Sequence, residues 1–236
     1  MTKPLRYDFH VHSHHSYDSM TTPARIVRAA QRRGLAGVAV TDHGTIAGGL
    51  ETQRLAPPNL LVIVGVEVHT TVGDIVCLFL SREIVGKDPI DVIAQTHAQG
   101  GVAFFPHPLR SHPPLVPAEV LQACDGFEVL NSRAGWFDPN SSPSRGSDWR
   151  KLVGKARLGN SDSHLASEIG ASHTVIEGPA TEDNIKQAFR EARTAPGGHR
   201  VPSRNFYLSQ LIKMVKTRDA SMLARLAKRS VRRLTG

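Results

Sequence analysis

The stretch DFHVHSHHSYD, residues 8–18, places four histidines and two aspartates within eleven residues. Imidazole and carboxylate are the side chains that bind zinc, manganese and iron. On an extended segment His10 and His12 point to the same face, about 6–7 Å apart at the backbone, so both can hold one ion. Similar donors recur along the chain: Asp42 and His43 in TDHG, Glu67 in GVE, His107 in FPHP, Asp162 and His164 in NSDSH. Singly, each has an ordinary explanation: a solvated strand edge for His10 and His12, a turn for Asp42, a helix cap for Asp162. Buried together without a cation they would carry a large desolvation cost, so a metal site is the simpler account of the set.

The elements that must position these donors alternate. RYDFHV, AGVAVT, NLLVIVGVEV, DIVCLFL, VAFF, GFEVL, ARLGNS and HTVIEG read as strands. Between them the chain predicts helices: one opened by Thr22 and Pro23 and closed by Gly34, a short one over 45–55, one from Pro89 to about Gln99, and one over 181–193. This rhythm predicts an α/β fold with a mainly parallel sheet, and seven or so strands permit a barrel. Each donor cluster lies at the carboxyl end of an apolar run, the face on which barrel enzymes gather active-site residues. The Ser/Pro/Gly-rich stretch 131–147 reads as a long loop.

Charge separates body from tail. The formal net charge is +8, and residues 201–236 hold nine bases and one acid, so the first 200 residues balance. A nucleic-acid or membrane role argued from charge is therefore confined to the tail. There the apolar residues at 208, 211, 212 and 215, then at 222, 223, 226 and 234, have helical spacing and predict two helices meeting near Asp219. Those helices can pack on the body, lie on an anionic membrane surface, or bind nucleic acid or an acidic partner. Cys77 and Cys124 sit among apolar residues and read as buried free thiols in a reducing cytoplasm. No apolar run reaches the roughly 18 residues of a membrane span, and the N-terminus lacks the apolar core of a signal peptide.

Taken in order, DFHVH, HSHHSYD, TDHG, GVE, FPHP, EVLNSR and GNSDSH resemble the motifs of the polymerase and histidinol phosphatase (PHP) domain family, over about residues 6–195. The segment from GNSDSH through AREA resembles the associated C-terminal part of small bacterial members. The resemblance implies a distorted, TIM-like (β/α)7 barrel, placed here over 1–199, and the charge and spacing above make 200–236 a basic helical tail. It implies two or three divalent ions (manganese, zinc or iron). The first would take His10, His12, Glu67 and Asp162. The second would share Glu67 and take His107, and the third would take Asp18, His43 and His164. Asp42 would orient a ligand. Where many relatives have a further histidine for the second ion, the nearest residue here is Asp74. The implied activity is phosphoester hydrolysis by a metal-activated hydroxide, on a small phosphorylated metabolite or nucleotide. Arg133 and Asn131 would contact the substrate, or Asn131 would fix the loop or a ligand, and His107, His164 or a metal-bound water would protonate the leaving oxygen. Alternatives are an oligonucleotide exonuclease or phosphodiesterase, and a non-catalytic metal-binding regulatory module. A cytoplasmic enzyme is expected, with peripheral membrane association open through the tail; the oligomeric state is undetermined.

Overall fold

Strand β1 (Leu5–Val11) pairs in parallel with β2 (Gly37–Val40), and β2 with β3 (Leu61–Thr70). Helices α1 (Pro23–Arg32) and α2 (Ala47–Leu55) make the crossovers. Helix α1 starts on Pro23 and buries Ile26, Val27 and Ala30 in one cluster with Val38, Val40 and Val62 of the sheet. This computed structural model describes residues 3–108, 110, 115–141 and 147–218.

The next strand is the antiparallel one in this mainly parallel barrel. β4 (Gly73–Leu78) runs antiparallel to β3 and to β5 (Val102–Phe105). Only Thr71 and Val72 separate β3 from β4, and a parallel crossover needs a dozen or more residues, so the pair can only be a hairpin. α3 (Pro89–His97), its first turn capped by Asp88, leads into β5, and α4 (Ala118–Ala123) into β6 (Gly126–Asn131). A two-residue strand, β7 (Gly135–Trp136), folds back on β6, and β8 (Ala156–Asn160) restores parallel pairing on its other side.

Strands β1–β6 and β8 curl into a distorted TIM-like barrel of seven strands. The seam between β8 and β1 closes by backbone only at the carboxyl end, where Val11 bridges Ser163 and the His12 amide donates to the Ser163 carbonyl at 2.8 Å. Below it, side chains take over. The Phe9 amide donates to Asn160 Oδ1 at 3.0 Å, and the Ser161 and Gly170 amides donate to the Asp8 carboxylate at 3.0 and 2.8 Å. Outside the seam lie β9 (Ser172–Ile176), antiparallel to β1, and β10 (Ala195–Gly198), antiparallel to β9. Helix α5 (Glu182–Arg190) runs between them, with Phe189 edge-on to Phe9.

Pro196-Gly197-Gly198 precedes the basic tail. It is strand β10, and at Gly198 (φ 111°) a Cβ would overlap the backbone of Ala171 and Ser172. Helix α6 (Ser203–Thr217) follows directly. The second tail helix lies outside the described residues. Among the described residues no helix is long and apolar enough to cross a membrane. Cys77 and Cys124 are buried and free.

Candidate metal centre

The alternation of β1 sends His10 and His12 to one face, and both are fully buried there. Glu67, on β3, is the hub of the cluster. Its Oε2 lies 3.4 Å from His10 Nε2, 3.3 Å from His12 Nε2 and 3.1 Å from His43 Nδ1, and its Oε1 lies 3.1 Å from His107 Nε2. Asp162 Oδ1 stands 3.7 Å from His10 Nε2 and 3.5 Å from His12 Nε2. Asp18 Oδ2 is 3.1 Å from His164 Nε2 and 3.5 Å from His43 Nε2. His107 and Asp162 hold positive φ angles (28° and 53°), a strained backbone of the kind found where side chains must be aimed. The structure thus brings all eight expected ligands together.

Three overlapping groups emerge, each with donor atoms within 4.8 Å of one another: His10, His12 and Glu67; His12, Asp18, His43 and His164; Glu67, Asp74 and His107. Asp74 reaches the third group from the amino end of a strand, because β4 is antiparallel. Its carboxylate also faces His69 Nδ1 at 2.7 Å.

The donor set fits divalent cations. His10 Nε2, His12 Nε2, Asp18 Oδ1 and Asp162 Oδ1 are buried with no hydrogen-bond partner, an arrangement that is costly unless something else satisfies them. Burial alone would lower the pKa of His12, yet the Asp162 and Glu67 carboxylates beside it push it up to about 9. Burial, then the neighbouring His12, push His164 down to about 3, which keeps its imidazole neutral as a ligand must be. Burial opposes charge on Glu67, but His10 and His43 hold its carboxyl well below the usual range.

A layer behind the ligands orients them. His10 Nδ1 faces Glu128 Oε1 at 3.0 Å, while Glu128 Oε2 accepts from the His107 amide at 2.8 Å. Asp42 reaches His12 through one hydroxyl: Ser16 Oγ donates to Asp42 Oδ1 at 2.6 Å and faces His12 Nδ1 at 3.0 Å. Asp42 also accepts from Ser13 through its amide and hydroxyl, and any side chain at Gly48 would overlap both residues. His14 and His15 sit at the rim beside Glu51.

The cavity over the centre holds about 160 Å³. Tyr17, Asp74 and Arg110 line it together with Asp18, His43, Glu67, His107, Asp162 and His164, and α6 contributes Gln210 and Lys213. Arg133 and Asn131, expected to touch substrate, do not line it. Arg133 Nη2 donates to the Asn205 carbonyl and to Ser209 Oγ of α6 at 2.9 and 2.7 Å, and its Nε faces Glu168 at 3.5 Å. Asn131 is buried: its amide donates to Glu128 Oε2 at 2.7 Å and its Oδ1 accepts from the Arg133 and Ala134 amides. Both hold β6 and its turn in place, and α6 has taken up the guanidinium. The cation that does reach the centre is Arg110, whose Nη1 donates to Asp162 Oδ2. Its signal in the sequence was its place three residues after His107. The signal for Glu128 was an acid inside the apolar strand GFEVL.

The PHP domain model matches residues 8–108 and the PHP-associated model residues 145–194. An uncharacterized protein of Methanocaldococcus jannaschii is 34% identical over 141 residues, 54% of this chain and 82% of that one. The chain belongs to the PHP family. A two-domain protein of Bacteroides vulgatus, described as containing a predicted PHP-like metal-dependent phosphoesterase, superposes with a TM-score of 0.70 at 23% identity. That match covers 84% of this chain and 66% of the other, so the chain spans just under two thirds of that protein. A lesion-specific endonuclease of Pyrococcus furiosus shares the fold, with a TM-score of 0.62 at 16% identity over 86% of this chain and 60% of its own.

In this PHP chain, Glu128→Gln is expected to weaken metal binding about 10–100-fold, the usual effect of losing the carboxylate behind a ligating histidine. Chelator competition on the purified variant measures it. An unchanged dissociation constant would mean that Glu128 only braces the barrel.

Proposed function

We propose that this chain is a metal-dependent phosphoesterase acting on a small phosphorylated metabolite or nucleotide. The observation that carries the reading is the convergence of buried, unpartnered imidazole and carboxylate atoms beside a single arginine on one small cavity. One ion would be held by His10, His12, Glu67 and Asp162, a second by Glu67, His107 and Asp74, and a third by Asp18, His43 and His164. Bound there, divalent cations supply Lewis acidity toward phosphoryl oxygen and lower the pKa of water.

The chain's own groups do the rest. Arg110 offers a forked donor to phosphoryl oxygens, the role first expected of Arg133. Burial opposes its charge, but Asp162 and Glu67 more than offset this and raise its pKa, so it stays cationic. His164 is poorly placed to protonate the leaving oxygen, because its Nδ1 faces the Asp162 carbonyl at 2.9 Å and its Nε2 faces Asp18. His107 Nε2 faces Glu67. A cavity of about 160 Å³ walled by α6 suits a phosphoryl group and a small appendage better than a nucleic-acid track. Two buried free thiols suit a reducing cytoplasm.

Chelation is expected to abolish turnover of a generic phosphomonoester, and manganese, zinc or iron to restore it, with a phosphodiester assayed in parallel. Elemental analysis of the same samples counts two or three equivalents. Turnover insensitive to chelation would end the proposal.

A further inference from the structure

We propose that α6 completes the cavity and that Lys213, with Gln210 beside it, is a specificity residue that binds an anionic group on the leaving half of the substrate. The inference rests on the phosphoesterase reading, and α6 lies beyond both matched segments, 8–108 and 145–194.

Helix α6 leaves an apolar stripe in water. Its apolar residues Leu208, Leu211 and Val215 are 46%, 43% and 68% exposed. On its barrel side Phe206, whose ring lies 5.9 Å from the Arg133 guanidinium carbon, stands with the polar residues Ser209, Gln210, Lys213 and Lys216. Leaving that stripe in water while turning polar groups inward is unfavourable unless the inward face has work to do.

Two of those polar residues anchor the helix. Ser209 takes the Arg133 guanidinium, and Lys216 Nζ donates to the His14, Ser16 and Ser19 carbonyls at 2.6, 2.5 and 3.1 Å, which grips the loop between His12 and Asp18. The other two remain uncommitted. The Lys213 ammonium rests over the Tyr17 ring, 4.4 Å from its centroid, and pairs with no carboxylate among the described residues, although Asp18 and Asp74 line the same cavity. The Gln210 amide makes no hydrogen bond among them either.

Depth separates the two cations. Arg110 sits on the floor against Asp162, where a phosphoryl group would bind. Lys213 sits on Tyr17, whose ring stacks on His43 at 4.6 Å, so it stands a ring away from the ligand set. A cation placed there meets what is attached to the phosphoryl group.

Calorimetry on the metal-loaded full chain tests this with benzylphosphonate and 4-carboxybenzylphosphonate, neither of which turns over. The added carboxylate is expected to tighten binding to the natural protein about tenfold, the gain from one charge-assisted hydrogen bond. Lys213→Met keeps the stem over Tyr17 and should lose that gain while holding benzylphosphonate within about twofold. Lys213→Arg should retain most of it. Equal affinity of the natural protein for both compounds overturns the inference and leaves the phosphoesterase reading standing, as does a gain that survives in Lys213→Met. Failure to bind either compound overturns both.

Discussion

Glu67→Gln is expected to remove at least one metal equivalent and lower turnover by at least about 10³-fold, beyond the loss typical of a single electrostatic donor. Among the described residues, Glu67 is the carboxylate that faces four imidazoles at once, those of His10, His12, His43 and His107, between 3.1 and 3.4 Å. It belongs to two of the three donor groups, so one substitution damages both. Glutamine keeps the shape and presents one neutral oxygen in place of two charged ones. The fold should therefore survive, with a melting temperature for the metal-free variant no lower than that of the metal-free natural protein. Elemental analysis with steady-state kinetics decides the matter. Full metal content with more than a tenth of the activity would remove Glu67 from the centre.

Arg110→Ala is expected to cost about 10²–10³ in kcat while leaving metal content intact, the loss measured when a preorganised donor to a developing negative charge is removed. Arg110 is about a quarter exposed (27% for its side chain) and touches the centre only through Asp162, so its loss opens no core cavity. Arg110→Lys should recover part of the rate, because an ammonium supplies the charge without the planar fork. A kcat unchanged in the alanine variant, with only KM raised, would make Arg110 a general attractor of anions with no special hold on the transition state.

Much of this was legible along the chain. The strands carrying the donors follow from apolar runs that end in His, Asp or Glu, and eight ligand candidates read that way meet within one cluster. Local rules sufficed because each donor's direction depends on strand alternation and on the turn just after it. Asp74 required more. Its approach depends on a two-residue connection forcing β4 into a hairpin, which converts the amino end of a strand into part of the carboxyl face. Glu128 was visible as an acid in an apolar strand, but its role depends on facing His10, 118 residues away.

The sequence by itself determined the donor types, their order and the barrel that gathers them, because periodicity and turn chemistry act over a few residues. Only the tertiary structure decided where the cations go. Arg133 was drawn from the substrate to Ser209 and Glu168, Arg110 took the place beside Asp162, and α6 turned its lysines toward a loop some 200 positions earlier. The face that a helix presents, and the carboxylate that an arginine finds, depend on surfaces built from distant segments, and no spacing within one segment encodes them.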